Sequence, residues 1–246
     1  MARGFTLIEL LVAMLVLAIL ASGLAMPLAA QVAARRYDEA RRQMDEVRDA
    51  LLGFAAAHGR LPCPAIGGSG DEAFAPGGDA TTGECARFND GFVPGTALGL
   101  GSAGGDGRVL DPWGVPLRYA VAANPVNAVT RPFTRANGLQ AATLGALGNA
   151  SHFLFVCSSG AAATGSGCGP AVAQLTRRAV FVLVCTGADG SRAPAAASDE
   201  ARNLDGNGVF VAREPGVDAG GDFDDVVAWV SLPALAHRML AAGRLP

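Results

Sequence analysis

One isolated carboxylate, one cluster of acids and five cysteines are the parts of this sequence whose types and spacing can do chemistry. The isolated carboxylate is Glu9, which borders a run of 25 residues, Leu10 to Ala34, without a charge. Placing a carboxylate at the edge of such a run in a bilayer costs about 2–3 kcal/mol, so Glu9 must protonate, reach the interface or meet a cation. The cluster is Asp218, Asp222, Asp224 and Asp225, with Asp189 and Asp205 upstream. Neighbouring carboxylates repel unless they are solvated or bound to metal, and carboxylates with loop carbonyls suit Ca²⁺. Solvated turn acids account for the same pattern.

The cysteines are Cys63, Cys85, Cys157, Cys168 and Cys185, and the odd number leaves one thiol over. Proximity along the chain pairs Cys63 with Cys85 and Cys157 with Cys168, with Cys185 a buried free thiol. A Cys157–Cys185 bridge is the rival, since both residues end apolar strands. No CxxC occurs, which argues against zinc. The sequence offers little to an enzyme reading: His58, His152 and His237 stand beside no nucleophile, and there is no GxSxG. Gly99 to Gly104 fits GxGxxG, but Pro94-Gly95 precedes it and Gly105-Asp106-Gly107 follows, so it reads as a loop and not as a dinucleotide site.

The elements that must position these residues follow from composition and periodicity. The chain has 246 residues, 19 basic and 22 acidic, and every basic residue is Arg. That balance provides no footprint for nucleic acid, and an apolar half of the chain supports a folded core. The uncharged run would span about 37 Å as a helix, against roughly 20 residues needed to cross a bilayer. A cleavable secretory signal, cut near Ser22 or Gly23, is the alternative. Beyond Ala34, the residues Ala40, Met44, Val47, Leu51, Phe54 and His58 mark one helix face, and Gly59, Pro62 and Pro64 end the helix. Residues 65–107 read as a long loop. Val115–Val121, His152–Cys157, Ala179–Cys185, Val209–Ala212 and Phe223–Val230 read as strands. Ser231 caps a short last helix with Leu235, Met239 and Leu240 inward.

Gly4-Phe5-Thr6-Leu7-Ile8-Glu9, opening an uncharged helix, resembles the processing site of type IV pilins and type II secretion pseudopilins. The resemblance implies cleavage after Gly4 by a prepilin peptidase, methylation of the Phe5 amine, and pairing of Glu9 with that amine in a neighbouring subunit. Two groups that are costly to bury singly offset each other as a pair. Ala50-Leu51-Leu52-Gly53-Phe54 with Gly59-Arg60-Leu61-Pro62, and Asp111-Pro112-Trp113-Gly114, resemble stretches of major pseudopilins. There Asp189 and Asp222-Phe223-Asp224-Asp225 resemble a calcium loop, with a longer stretch between them here.

The resemblance implies an α+β, pilin-like fold: a leader over 1–4, a transmembrane helix over 5–34, its periplasmic continuation over 35–60, and over 61–246 a head built on a small antiparallel sheet. It implies a non-enzymatic structural subunit of a pseudopilus or pilus. Its partners would be other pilin or pseudopilin subunits, the prepilin peptidase and an inner-membrane assembly platform. It places the chain in the bacterial inner membrane with the head in the periplasm. Counting arginines alone, with Arg3 before the run and five soon after it, gives the opposite orientation. The alternative is a membrane-anchored or secreted periplasmic binding protein or enzyme with a look-alike N-terminus.

Overall fold

A computed structural model describes residues 6–101, 105–123, 131–142, 145, 147, 153–165, 167–218 and 221–245, without the side chains of residues 20–29 and 218. Helix α1 runs Leu7–His58. The chain divides into two compact units, Met1–Glu39 and Ala40–Pro246. The first holds the N-terminal part of α1, whose apolar side chains Leu7, Ile8, Leu10, Leu11 and Met14 are exposed. Among the described residues, no helix is long and apolar enough to cross a membrane.

The second unit is α+β. Ala40, Met44, Val47, Leu51, Phe54 and Ala55 of α1 are buried, as the spacing of 4 and 3 requires of one helix face. His58 does not continue that face. It is exposed, stacks on Phe54 with ring centroids 4.0 Å apart, and its Nδ1–H donates to the Phe54 carbonyl. The turn after α1 needs Gly59, at φ +67°, in the left-handed region that glycine tolerates. The last carbonyls of α1 are also capped from far away: Arg244 donates from Nε to the Ala56 oxygen at 2.8 Å and from Nη2 to the Ala57 oxygen at 2.6 Å.

Two short elements, β1 (Gly91–Phe92) and α2 (Gly95–Leu98), interrupt the predicted long loop. Then come β2 (Arg118–Val121), α3 (Gly138–Ala141), β3 (Leu154–Cys157), β4 (Gln174–Cys185), α4 (Asp199–Leu204), β5 (Val209–Val211), β6 (Gly216–Asp218), β7 (Gly221–Phe223), β8 (Val226–Ser231) and α5 (Leu232–Ala241). The main sheet runs β1-β2-β4-β3-β5, with β8 also paired to β4. All its pairings are antiparallel except β3 with β5, which is parallel. Strand β4 is its spine. Ala179 to Cys185 are all buried, as the continuous apolar run demands of a strand covered on both faces. Asn203 of α4 and Phe210 of β5 line one small cavity with Tyr119, Ala120, Val182 and Val184.

Several boundaries differ from the sequence reading. Val115 to Leu117 stay outside β2. Phe223–Val230 is split into β7 and β8 at Asp224 and Asp225, whose carboxylates turn to the Ala188–Asp189 loop and to Asn203 of α4. Leu240 is exposed, whereas Leu235 and Met239 are buried. Ser231 stands at the N-cap position of α5 but makes no side-chain cap. The buried anchor of the Asp111-Pro112-Trp113-Gly114 turn is Asp111: its Oδ1 accepts from the Trp113 and Val115 N–H groups, and its Oδ2 accepts from the Cys185 thiol. Burial pushes that thiol well above its ordinary range. His152 lies outside the described residues.

Disulfides join Cys63 to Cys85 and Cys157 to Cys168, and Cys185 is a buried thiol. Beside the first bridge, Arg60 is 7% exposed and forms a two-pronged pair with Glu72, at 2.6 and 2.8 Å. Glu72 Oε2 also accepts from the Cys63 N–H at 2.9 Å. Breaking a buried pair from one side leaves an uncompensated charge and costs about 3–5 kcal/mol. Glu72→Ala is therefore expected to lower the denaturant midpoint of the second unit strongly, read by Trp113 and Trp229 fluorescence of the full chain in detergent. An unchanged midpoint would show that Arg60 finds another partner.

Candidate functional site

The N-terminal candidates lie in the first unit. Gly4 and Phe5 fall outside the described residues. Thr6 precedes α1 and Glu9 stands in its first turn. The Thr6 N–H and Oγ1–H both donate to Glu9 Oε2, at 3.0 and 2.9 Å, and the Glu9 N–H donates to Thr6 Oγ1 at 3.3 Å. This is a capping box, in which residue and helix terminus satisfy each other's donors. Its signal, Thr6-Leu7-Ile8-Glu9, is legible in the sequence beside the processing motif. Glu9 Oε1 has no hydrogen bond among the described residues, so one oxygen stays open to an external cation.

The acidic candidates lie in the second unit, where the chain passes from β4 into the loop before α4 and from β7 into β8. The structure brings Asp189 and Asp224 together with a residue absent from the sequence reading, Glu200. One carboxylate oxygen from each lies within 4.8 Å of the others. Asp222 and Asp225 fall outside that group. Asp222 is exposed on β7, and Asp225, 4% exposed, is turned to Asn203, whose Nδ2–H donates to its Oδ2 at 2.6 Å.

Two of the three acids, Asp224 and Glu200, accept hydrogen bonds from backbone. Asp224 Oδ2 accepts from the N–H groups of Ala188, at 2.7 Å, and Asp189, at 3.3 Å. Gly187 permits this approach: a Cβ there would meet Asp224 Oδ1 at 2.2 Å, and its φ is +68°. The Asp224 N–H donates to Glu200 Oε1 at 3.0 Å. Glu200 sits in the first turn of α4, which Ser198 caps by accepting from the Ala201 N–H. Ser198-Asp199-Glu200 is a helix-start signature of a cap followed by acids, and it marks where Glu200 was to be found.

A second network fixes this frame. Asp199, 2% exposed, accepts from Arg213 Nε at 2.8 Å and from the Gly160 N–H at 2.8 Å. Arg213 also donates to the carbonyls of Gly216 and Gly221 and lies over the Phe223 ring, 4.5 Å from its centroid. The β6–β7 hairpin and α4 are thus pinned to one guanidinium.

The acids repel each other in a partly dry setting. Burial pushes Asp224 up to about 6 and Asp225 up to about 7, and the neighbouring carboxylates add to the rise. Glu200 is raised by burial and then by Asp189, Asp224 and Asp222. Among the described residues, Asp224 Oδ1 and Thr186 Oγ1 are buried without a hydrogen-bond partner. A carboxylate with one orphaned oxygen, gathered with two further carboxylates, fits a hard divalent cation: Ca²⁺ takes 6–8 oxygens in flexible geometry, and Asp189, Glu200 and Asp224 would supply the charged ones.

Residues 1–25 match the model of the prokaryotic N-terminal methylation motif, the mark of prepilin-type processing. No curated protein and no solved structure matches the chain.

Asp224 and Asp225 bind protons more tightly in the folded unit than in the unfolded chain, where aspartate titrates near 4. Between about pH 4 and about pH 7 the folded state holds more protons, so stability falls as pH rises and this contribution is gone above that window. In chelator, the melting temperature is expected to drop across the window, and Asp225→Asn to flatten the drop. An equal slope in the variant would remove Asp225 as its source.

Proposed function

We propose that this chain is a structural subunit, a pseudopilin or minor pilin, that is cut by a prepilin peptidase and built into a periplasmic pseudopilus or a pilus through α1. The observation that carries the reading is the methylation motif over residues 1–25, set at the start of a 52-residue helix. The uncharged run from Leu10 to Ala34 serves as the inner-membrane anchor before assembly, with the head in the periplasm. Exposed Leu7, Ile8, Leu10 and Leu11 support this, because a monomer in water would not leave such a row uncovered.

Glu9 is the assembly residue. In the isolated chain its Oε2 caps the helix through Thr6, and Oε1 is left for the methylated amine of Phe5 in an adjoining subunit. A charge-assisted pair between those groups cancels two desolvation costs at once. Other subunits and the inner-membrane assembly platform are the partners, and the role requires no catalysis.

Calcium belongs to the same reading as a structural cofactor of the head. Asp189, Glu200 and Asp224 are its carboxylate ligands, and the ion offsets the repulsion that lifts Asp224. Binding to the folded state alone stabilises by about 2.7 kcal/mol at a hundredfold excess over Kd.

Processing is tested by intact mass and N-terminal sequencing of membrane-extracted protein, with a start at Phe5 expected; a start near Ser22 or Gly23 would favour a secretory signal. Glu9→Ala is expected to be cut normally yet to co-purify poorly with filaments. Wild-type incorporation would refute the pairing. For the metal, the full chain in detergent is melted with calcium, magnesium or chelator. Calcium should raise the midpoint, magnesium should do little, and Asp224→Ala or Glu200→Ala should abolish the rise while Asp222→Ala keeps it. Equal midpoints with calcium and chelator would leave the group a set of hydrated acids.

A further inference from the structure

A cleft of 330 Å³ elsewhere in the second unit is lined by Ile66, Gly67, Arg87, Asp90, Phe92 and Arg118. One carboxylate there serves two cations. Asp90 Oδ1 accepts from Arg118 Nη1 at 2.8 Å, and Oδ2 accepts from Arg87 Nη1 at 2.6 Å. The trio carries a net charge of +1. Each guanidinium has five N–H donors, and among the described residues only one nitrogen of each is engaged.

Arg118 is the fixed member. Its side chain is 28% exposed, it is held by Asp90, and it lies over the Phe92 ring, 5.4 Å from the centroid. A guanidinium locked on two sides loses little freedom on binding a third group, so its remaining donors are pre-organised. Arg87 is more exposed and closes on the same carboxylate from the other side. Ile66, 40% exposed, and Phe92 add an apolar wall to a charged floor.

We infer that this cleft binds an organic carboxylate, its head group on the Arg87 and Arg118 donors that Asp90 leaves free and its hydrocarbon part against Ile66 and Phe92. A planar carboxylate matches the two-pronged donor fork of arginine. Inorganic phosphate would meet the same charge but would leave the apolar wall uncovered. None of these residues belongs to the acid group or to the N-terminal motif, so the site stands whether or not the filament reading does.

The test is calorimetric titration of the full chain in non-ionic detergent with benzoate, acetate and inorganic phosphate at fixed ionic strength, with heats into empty micelles subtracted. Saturable benzoate binding is expected, tighter than acetate and tighter than phosphate. Arg118→Ala should weaken it about tenfold or more, as loss of a charge-assisted hydrogen bond does. Arg87→Ala, at an exposed position that folding tolerates, should weaken it too. Ile66→Ser should weaken benzoate and leave acetate unchanged. No saturation, phosphate binding as tight as benzoate, or equal affinity in the Arg87→Ala protein would overturn the inference.

Discussion

Within five residues, Gly59 to Cys63, the chain has to leave a long helix and enter a sheet-bearing core, and the second unit depends on how that turn is held. The turn is fastened on every side. Gly59 takes the left-handed conformation, and Arg60 is buried against Glu72. The Leu61 N–H donates to the Phe133 carbonyl, the Tyr119 hydroxyl donates to the Pro62 carbonyl, and Cys63 is bridged to Cys85. Only Gly59 acts through its own conformation; the other four are held by residues distant in sequence. With five successive residues fixed in this way, the turn holds the end of α1 on the second unit.

The second structural theme is charge held without water. Arg60–Glu72 and Arg213–Asp199 are buried pairs whose remaining polar atoms are used by backbone groups. Desolvating two ions is repaid only when the geometry is close and further hydrogen bonds complete it, and both pairs meet that condition. The acids at Asp189, Glu200 and Asp224 are the exception. There like charges converge, and among the described residues Asp224 Oδ1 is left without a donor. The contrast within one fold separates the acid group from ordinary structural electrostatics.

Much of the fold was legible because it rests on period and punctuation. The 4-and-3 spacing from Ala40 to Phe54 located the buried face of α1, and the apolar run from Ala179 to Cys185 located the spine of the sheet. What was not legible was pairing at a distance. Asp222 and Asp225 look like ligands by adjacency, but Asp224 and Asp225 fall in the break between β7 and β8, where strand periodicity does not set direction, so Asp224 joins the group while Asp222 is exposed and Asp225 turns to Asn203. Glu200 comes from a helix that runs for one and a half turns, too short for a periodic signal, and only its cap announces it. Arg244 carries no local mark of its role at all, since a helix C-terminus recruits a cation from wherever the fold delivers one.

That last contact bears on the order in which the molecule is assembled. The two disulfides close separations of 22 and 11 residues, whereas Arg244 and the Ala56 carbonyl are 188 apart. Loop-closure entropy rises with the logarithm of length, so the long closure costs about 2.5 kcal/mol more than the shortest bridge. Such a contact forms only after the intervening sheet has collapsed and shortened the effective loop. The distant arginine that seats the end of the helix is therefore the contact that depends on the rest of the second unit being in place.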